Sequence, residues 1–428
     1  MATDVDVQYF SHLNGLTLGN NWGDLIRLLD KTLVTGIDFT QITAASIDAQ
    51  GDVHITLYAA HNAMLFQVVE LTGFAPSSLN QKYRIKGVPN TTQLILKPAL
   101  DIVERSIITV GTGKLASLGY EIIFRDPEDV KRVYRAKNPT AQHPFIRVDE
   151  SQTSPDGTTG VYTSTYTKFA MVGLLEHMNH IDDYKNPDVL QLPFDPNDPE
   201  KNWRINGAGT SVVRGWSKWY WASNYHIRNG GSVASQTPSD GNRRFTLCGD
   251  SDAFYITTPW TVGNLEDDKV ICGCGAFNIS QLGNAAPDWF LFAPTSIVSA
   301  SQADSYAKAL SPLLYSEIQS KFLVTRYTQS NSVSTHEYAI PIMPDIYTGG
   351  ASSIFSQGAS LAALEIPFYD EGYNLRGGLR HVHYAGNNLT RKTSTTPEIS
   401  GSSMYVADST MSGGGNLGGL YFYLGELD

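Results

Sequence analysis

The chain has 428 residues, enough for two or three domains and an ample core. Charged residues make up only 17%, and 31 basic against 42 acidic residues leave a net charge of −11, with no dense Lys/Arg cluster for phosphate binding. That balance argues against a nucleic-acid partner; with no apolar run long enough to span a bilayer and no leader pattern, the sequence reads as starting at Met1, made in the cytosol and without membrane insertion.

Frequent Tyr and Gly (22 and 38 residues) and the lack of long Glu/Lys/Ala runs bias the chain towards β structure. Residues 1–19 read as an irregular arm, with Tyr9, Phe10 and Leu13 spaced to dock on a neighbour or on the body. Asn20-Asn21 can cap a helix over Gly23 to Thr35, where Leu25, Leu28, Leu29 and Leu33 form one apolar stripe and Gly36 ends it. From residue 42 the period changes to two: Val53/Ile55/Leu57, Phe66/Val68, Tyr83/Ile85 and Leu94/Leu96 alternate between turn-forming stretches. These strands predict a small β-barrel or sandwich over 42–112, after an N-terminal arm and helix over 1–41.

A central β domain is expected over 113–298. Asp126-Pro127 precedes a strand through Val133-Tyr134-Arg135, and the Ser/Thr/Gly/Pro-rich stretch 151–165 reads as an exposed loop. Lys168 to Asp183 fits either period and is assigned to strand from its context. Four X-Pro steps within 185–210 forbid regular structure and predict a long loop or arm. Trp216, Trp219 and Trp221 follow, the last two on one face of a strand. Phe245, Leu247, Phe254 and Ile256 alternate about a Gly249-Asp250 turn. The region 299–428 is expected to be mixed but mostly β, with a second helix over Gln302 to Lys321, strands at Leu323 to Tyr327 and Glu337 to Ile342, and a closing strand Leu420 to Leu424.

Several segments, in order, resemble a known pattern: Leu28-Leu29-Asp30 and Leu33-Val34-Thr35-Gly36, the module around His61 to Asn80 and Lys82 to Ile85, Val133-Tyr134-Arg135, Ile146-Arg147-Val148-Asp149-Glu150, Gly249-Asp250 with Phe254-Tyr255, and Leu375-Arg376-Gly377. Together they resemble a family of uncharacterised structural proteins of tailed-bacteriophage virions, to which no activity is attached. The sequence departs from that pattern at Cys274-Gly275-Ala276-Phe277-Asn278, where Phe-Gly-Asp is expected, and lacks the Pro that usually follows the Leu-Arg-Gly segment.

Sites for chemistry are sparse. Cys248, Cys272 and Cys274 read as reduced core thiols rather than a zinc site, because Cys272 and Cys274 have one residue between them where knuckles have two. His177 and His180 would share a face only on a helix, whereas His381 and His383 would point to one side of a strand and are the metal candidates, although the surrounding Gly377, Gly378 and Gly386 do not suit a metal-bearing spike tip. Asp149-Glu150, Glu266-Asp267-Asp268 and Asp370-Glu371 read as solvated turns, and neither a nucleophile elbow nor a phosphate loop occurs. Trp203, Trp216, Trp219 and Trp221 suit core or subunit interface, the alternative being stacking on a host surface glycan.

The sequence thus predicts a mainly β chain of several small modules in tandem with no enzymatic activity, catalytic residue, cofactor or metal. The resemblance implies a virion subunit, assembled in the bacterial cytoplasm, that meets copies of itself and other virion proteins. A tail, baseplate, tail-tip or collar position is preferred, ahead of a capsid decoration protein or a glycan-binding tail protein. Tyr9, Phe10 and the four tryptophans are its contact candidates.

Overall fold

The computed structural model describes residues 3–153, 162–207, 212–223, 237–259, 261–262, 269–278, 286–293, 322–327, 335–342, 363–384, 395–411 and 417–427. Within these the chain is mainly β, in curled antiparallel sheets, as its composition and alternation predict. The later helix expected over 302–321 lies outside the described residues.

The N-terminal segment is built into the body. Gln8–Ser11 is a strand paired antiparallel with Thr246–Gly249, at one edge of a nine-stranded sheet. The Gln8 side chain then acts as a substitute strand: its amide donates to the carbonyls of Val68 and Ala116 (2.8 Å each) and its oxygen accepts the Val68 N–H at 2.9 Å. Sequence composition near residue 8 is silent about partners so far along the chain.

The helix forms where the leucine stripe predicts, with a different start. It runs as α-helix over Asp24–Leu29 and widens to a π-helix over Asp30–Thr35, ended by Gly36, whose N–H reaches Lys31 O at 2.7 Å. The N-cap is Gly23 in the left-handed region (φ 85°), not Asn20 or Asn21. Leu25, Leu28, Leu29 and Leu33 are all buried.

Seven strands between Ile37 and Leu115 form the next sheet, in the order Ile37–Asp38, Thr112–Leu115, Val68–Thr72, Lys82–Asn90, Gln93–Pro98, Val53–Leu57, Ile42–Ile47. Its two edge strands are joined by residues 39–41 alone, so the sheet curls back on itself. Strand Val53–Leu57 alternates buried and half-buried positions, as its period-two pattern requires.

A six-stranded sheet follows, with Phe145–Asp149 and Lys168–Leu175 at its centre and Lys218–Ala222 added against the latter. Lys168–Leu175 is buried at every position. Ala170, Val172 and Leu174 enter one core while Phe169, Met171 and Leu175 enter another. A strand covered on both faces loses its polar alternation, which is why its sequence fits two periods at once. The Pro-rich stretch packs onto this sheet: Gln191–Leu192 is its edge strand, paired with the end of Lys168–Leu175, and Phe194 and Asn202 are buried.

The nine-stranded sheet continues through Ala253–Thr258, Val270–Ala276, Trp289–Phe292, Phe322–Val324, Glu337–Pro341, Pro367–Asp370 and Leu375–Gly378. A bridge between Phe277 and Leu379 brings its far end back against Val270–Ala276, and Phe277, Phe290, Phe322 and Phe368 fill the inside. The Cys-Gly-Cys-Gly run belongs to this close packing. A Cβ at Gly273 would collide with the Phe254 carbonyl oxygen, and one at Gly275 with Ala253. Val382–Tyr384, Leu417–Glu426, Ser403–Met411 and Thr396–Ser400 form the last, four-stranded sheet. Among the described residues no helix is long and apolar enough to cross a membrane.

Candidate functional site

One cluster of ionisable groups surrounds Asp149 and Glu150, at the end of strand Phe145–Asp149. These residues were expected in a solvated turn. Instead Asp149 is 3% exposed beside Arg147, and Glu150 is fully buried under the helix start. Glu150 is the helix cap: its carboxylate accepts the N–H groups of Gly23 and of Ile26, the latter at 3.0 Å. Burial pushes the Glu150 carboxyl up to about 8, against the pull of those two N–H groups and of Arg214 and Arg27. One turn on, Asp30 accepts the Tyr134 hydroxyl at 2.7 Å and pairs with Arg132 at 3.2 Å. Strands Lys131–Ala136 and Phe145–Asp149 therefore meet around one helix.

On the other side of Asp149 lies an open cleft of about 510 Å³, lined by Asp126, Lys131, Asp149, Met171, Tyr184 and Trp203 among others. Arg147 lies between two aromatic rings, 4.7 Å from Tyr184 and 4.3 Å from Trp203, and pairs with Asp149 at 2.9 Å. Burial opposes ionisation of Asp149, but Arg147, Lys131 and the Ser151 N–H outweigh it and hold the carboxyl below its usual range. Asp126 accepts the N–H groups of Val130 and Lys131 at 3.0 and 2.6 Å. Asp149 is thus paired with a guanidinium, and one oxygen of Asp126 accepts two backbone N–H groups, an arrangement that fixes the strand ends around the cleft.

A second cluster gathers on the turn Asp250 to Asp252. His143 Nε2 donates to Asp252 at 2.7 Å, Arg380 pairs with the same carboxylate at 3.2 Å, and His381 meets Asp250 at 2.8 Å. The His143 hydrogen bond is the main influence holding Asp252 below the ordinary carboxylate range; for Asp250, burial acts upward and the His381 contact outweighs it. Beside the turn is a recess of about 490 Å³ whose walls include Asp6, Glu70, Lys82, Lys137 and Asp250, so three sheets and the N-terminal segment converge there.

The remaining candidates fall as follows. Tyr9 and Phe10 are fully buried in this chain's own cores, docked on the body. Trp219 and Trp221, each 1% exposed, share one face of their strand; the Trp219 indole donates to Phe292 O at 2.8 Å and Trp221 meets Trp22 edge-on. Trp203 is buried against Arg147, while Trp216 is half-buried under Lys201, 4.3 Å from its ring. His381 turns to Asp250 and His383 stacks on Tyr423, so the two imidazoles part company, and His177 and His180 lie in exposed turns. Among the described residues no group of His, Cys, Asp and Glu could hold a metal ion. The three cysteines are free and buried. Asp370 is also buried, accepting the Asn374 N–H at 2.9 Å beside Arg376, whereas Glu371 is exposed; Glu266 to Asp268 lie outside the described residues.

Sequence reasoning missed Arg84. It is fully buried and donates to four carbonyls, those of Asp4, Val7, Phe66 and Leu424, at 2.6 to 2.9 Å. Its only sequence signal is a cation at a position where the strand Lys82–Asn90 is otherwise turning inward.

No protein-family model matches the chain, and no curated protein matches it.

Proposed function

We propose that the chain is a structural subunit of a tailed-bacteriophage virion, a tail, baseplate, tail-tip or collar component that acts through contacts with copies of itself and with other virion proteins. The observation that carries this reading is a contrast between interior and surface. Buried charge is spent on internal caps and pairs, while the loop after strand Gln93–Pro98 presents Leu100, Val103, Ile108 and Val110 to solvent, Val103 at 86% and Ile108 at 83% exposure. The loop is held in place: the N–H groups of Ile108 and Thr109 both reach Ala75 O, Gln81 donates to Leu100 O at 3.0 Å, and Ile102 is buried beneath it. A firmly held loop that exposes this much apolar side chain suits a protein partner.

The test is a phage carrying Val103→Asp with Ile108→Asp. Both sites are exposed, so the isolated subunit should keep its stability within about 0.5 kcal/mol. Particles should then lack the subunit or fail to assemble. Normal particles with the usual amount of the subunit would remove the support for this reading.

A further inference from the structure

Lys269, immediately before strand Val270–Ala276, and Asp408, on strand Ser403–Met411, meet in the interior although 139 positions separate them. Lys269 is 1% exposed and Asp408 fully buried, and the lysine Nζ lies against Oδ1 of the carboxylate. The other carboxylate oxygen, Oδ2, accepts the hydroxyl of Thr257, itself buried on the neighbouring strand Ala253–Thr258. Thr246 and Thr395, whose hydroxyls lie 2.6 Å apart, occupy the same layer between the two sheets. Among the described residues His12 is a titratable neighbour, half-buried and held towards its neutral form chiefly by that burial, with the charges of Arg244, Lys269 and Asp408 also acting on it.

An amine and a carboxyl in this setting have an alternative to remaining an ion pair. Withdrawing both charges from water is costly, and proton transfer from ammonium to carboxylate yields a neutral amine beside a neutral acid. We propose that Lys269 and Asp408 are joined by an isopeptide bond between Nζ and Cγ. The amine lone pair attacks Cγ and an N–C bond forms. Oδ2 carries the developing negative charge while the Thr257 hydroxyl donates to it. The Cγ–Oδ1 bond then breaks, and Oδ1 leaves as water with the acid proton and one amine proton. Nothing is oxidised or reduced, and no co-reactant is consumed. The product is an uncharged amide in a buried layer, which removes the cost of two buried charges and covalently fastens the four-stranded sheet to the nine-stranded one.

This inference stands apart from the virion reading and is tested on the purified full-length chain by intact-mass spectrometry and peptide mapping. The expected mass is that of the sequence less one water, with a branched peptide linking Lys269 and Asp408. Lys269→Met and Asp408→Ala should each restore the full mass and separate the two peptides. A folded wild-type chain at full sequence mass would overturn the proposal, whether or not either variant folds. Loss of water without a branched peptide would overturn it too, since a succinimide at Asp156-Gly157 changes the mass equally and links nothing.

Discussion

Replacing Glu150 by Gln isolates the energetics of the buried helix cap. The carboxyl's ordinary value of 4.5 becomes about 8 in the folded chain, so the folded state holds this proton more tightly than the unfolded state does. Stability from this group is therefore fullest below about 4.5, declines as pH rises, and levels off above about 8. At about 1.4 kcal/mol for each tenfold change in proton binding, the whole decline amounts to about 5 kcal/mol. Gln does not ionise and keeps a carbonyl oxygen for one of the Gly23 and Ile26 N–H groups, so its chain should not show that decline. Urea unfolding of both proteins at about pH 5 and about pH 8.5 gives the comparison, other titrating groups cancelling in the difference. The variant should gain several kcal/mol on wild type between the two conditions. A difference between the two proteins that does not change with pH would show that folding does not raise the Glu150 carboxyl and would refute the burial argument.

Other consequences can be measured in the same way. Arg84→Lys cannot reach four carbonyls with one ammonium group and should cost about 3–5 kcal/mol by denaturant unfolding, with faster proteolysis of both chain ends; an unchanged midpoint would contradict the tie between the two ends. Asp250 and Asp252 have depressed values, so their contribution is present above about 3.8 and lost as pH falls through their folded values. His381→Ala and His143→Ala should each reduce stability at neutral pH and flatten that acid loss, read from thermal melts at a series of pH values. Burial pushes the cysteine thiols up, Cys272 to about 12, so iodoacetamide should label none of the three in the native chain and all three after denaturation; labelling of the native protein would show that their strands open.

How much of this was legible in the sequence depended on whether a signal was local. Alternation at Val53, Ile55 and Leu57 located a strand because one face of that sheet is more exposed than the other. The Trp219 and Trp221 spacing placed both rings on one face, and the core reading is the one their burial fits. Lys168–Leu175 was ambiguous because cores cover both of its faces. The burial of Asp149, Glu150 and Asp370 was invisible, since an acid beside another acid looks the same in sequence whether it faces water or a helix end. The pairing of Gln8–Ser11 with Thr246–Gly249 and the meeting of Lys269 with Asp408 arise from chain topology, which no window of neighbouring residues contains.

We propose that this chain works as a part of a larger particle. Electron microscopy of purified phage particles produced from a genome carrying this sequence, at a resolution that traces side chains, tests the proposal most directly. The chain is expected in a tail, baseplate, tail-tip or collar ring with the Val103 and Ile108 loop buried against a neighbour. Its absence from purified particles, or its presence with that loop still facing solvent on every copy, would contradict the account.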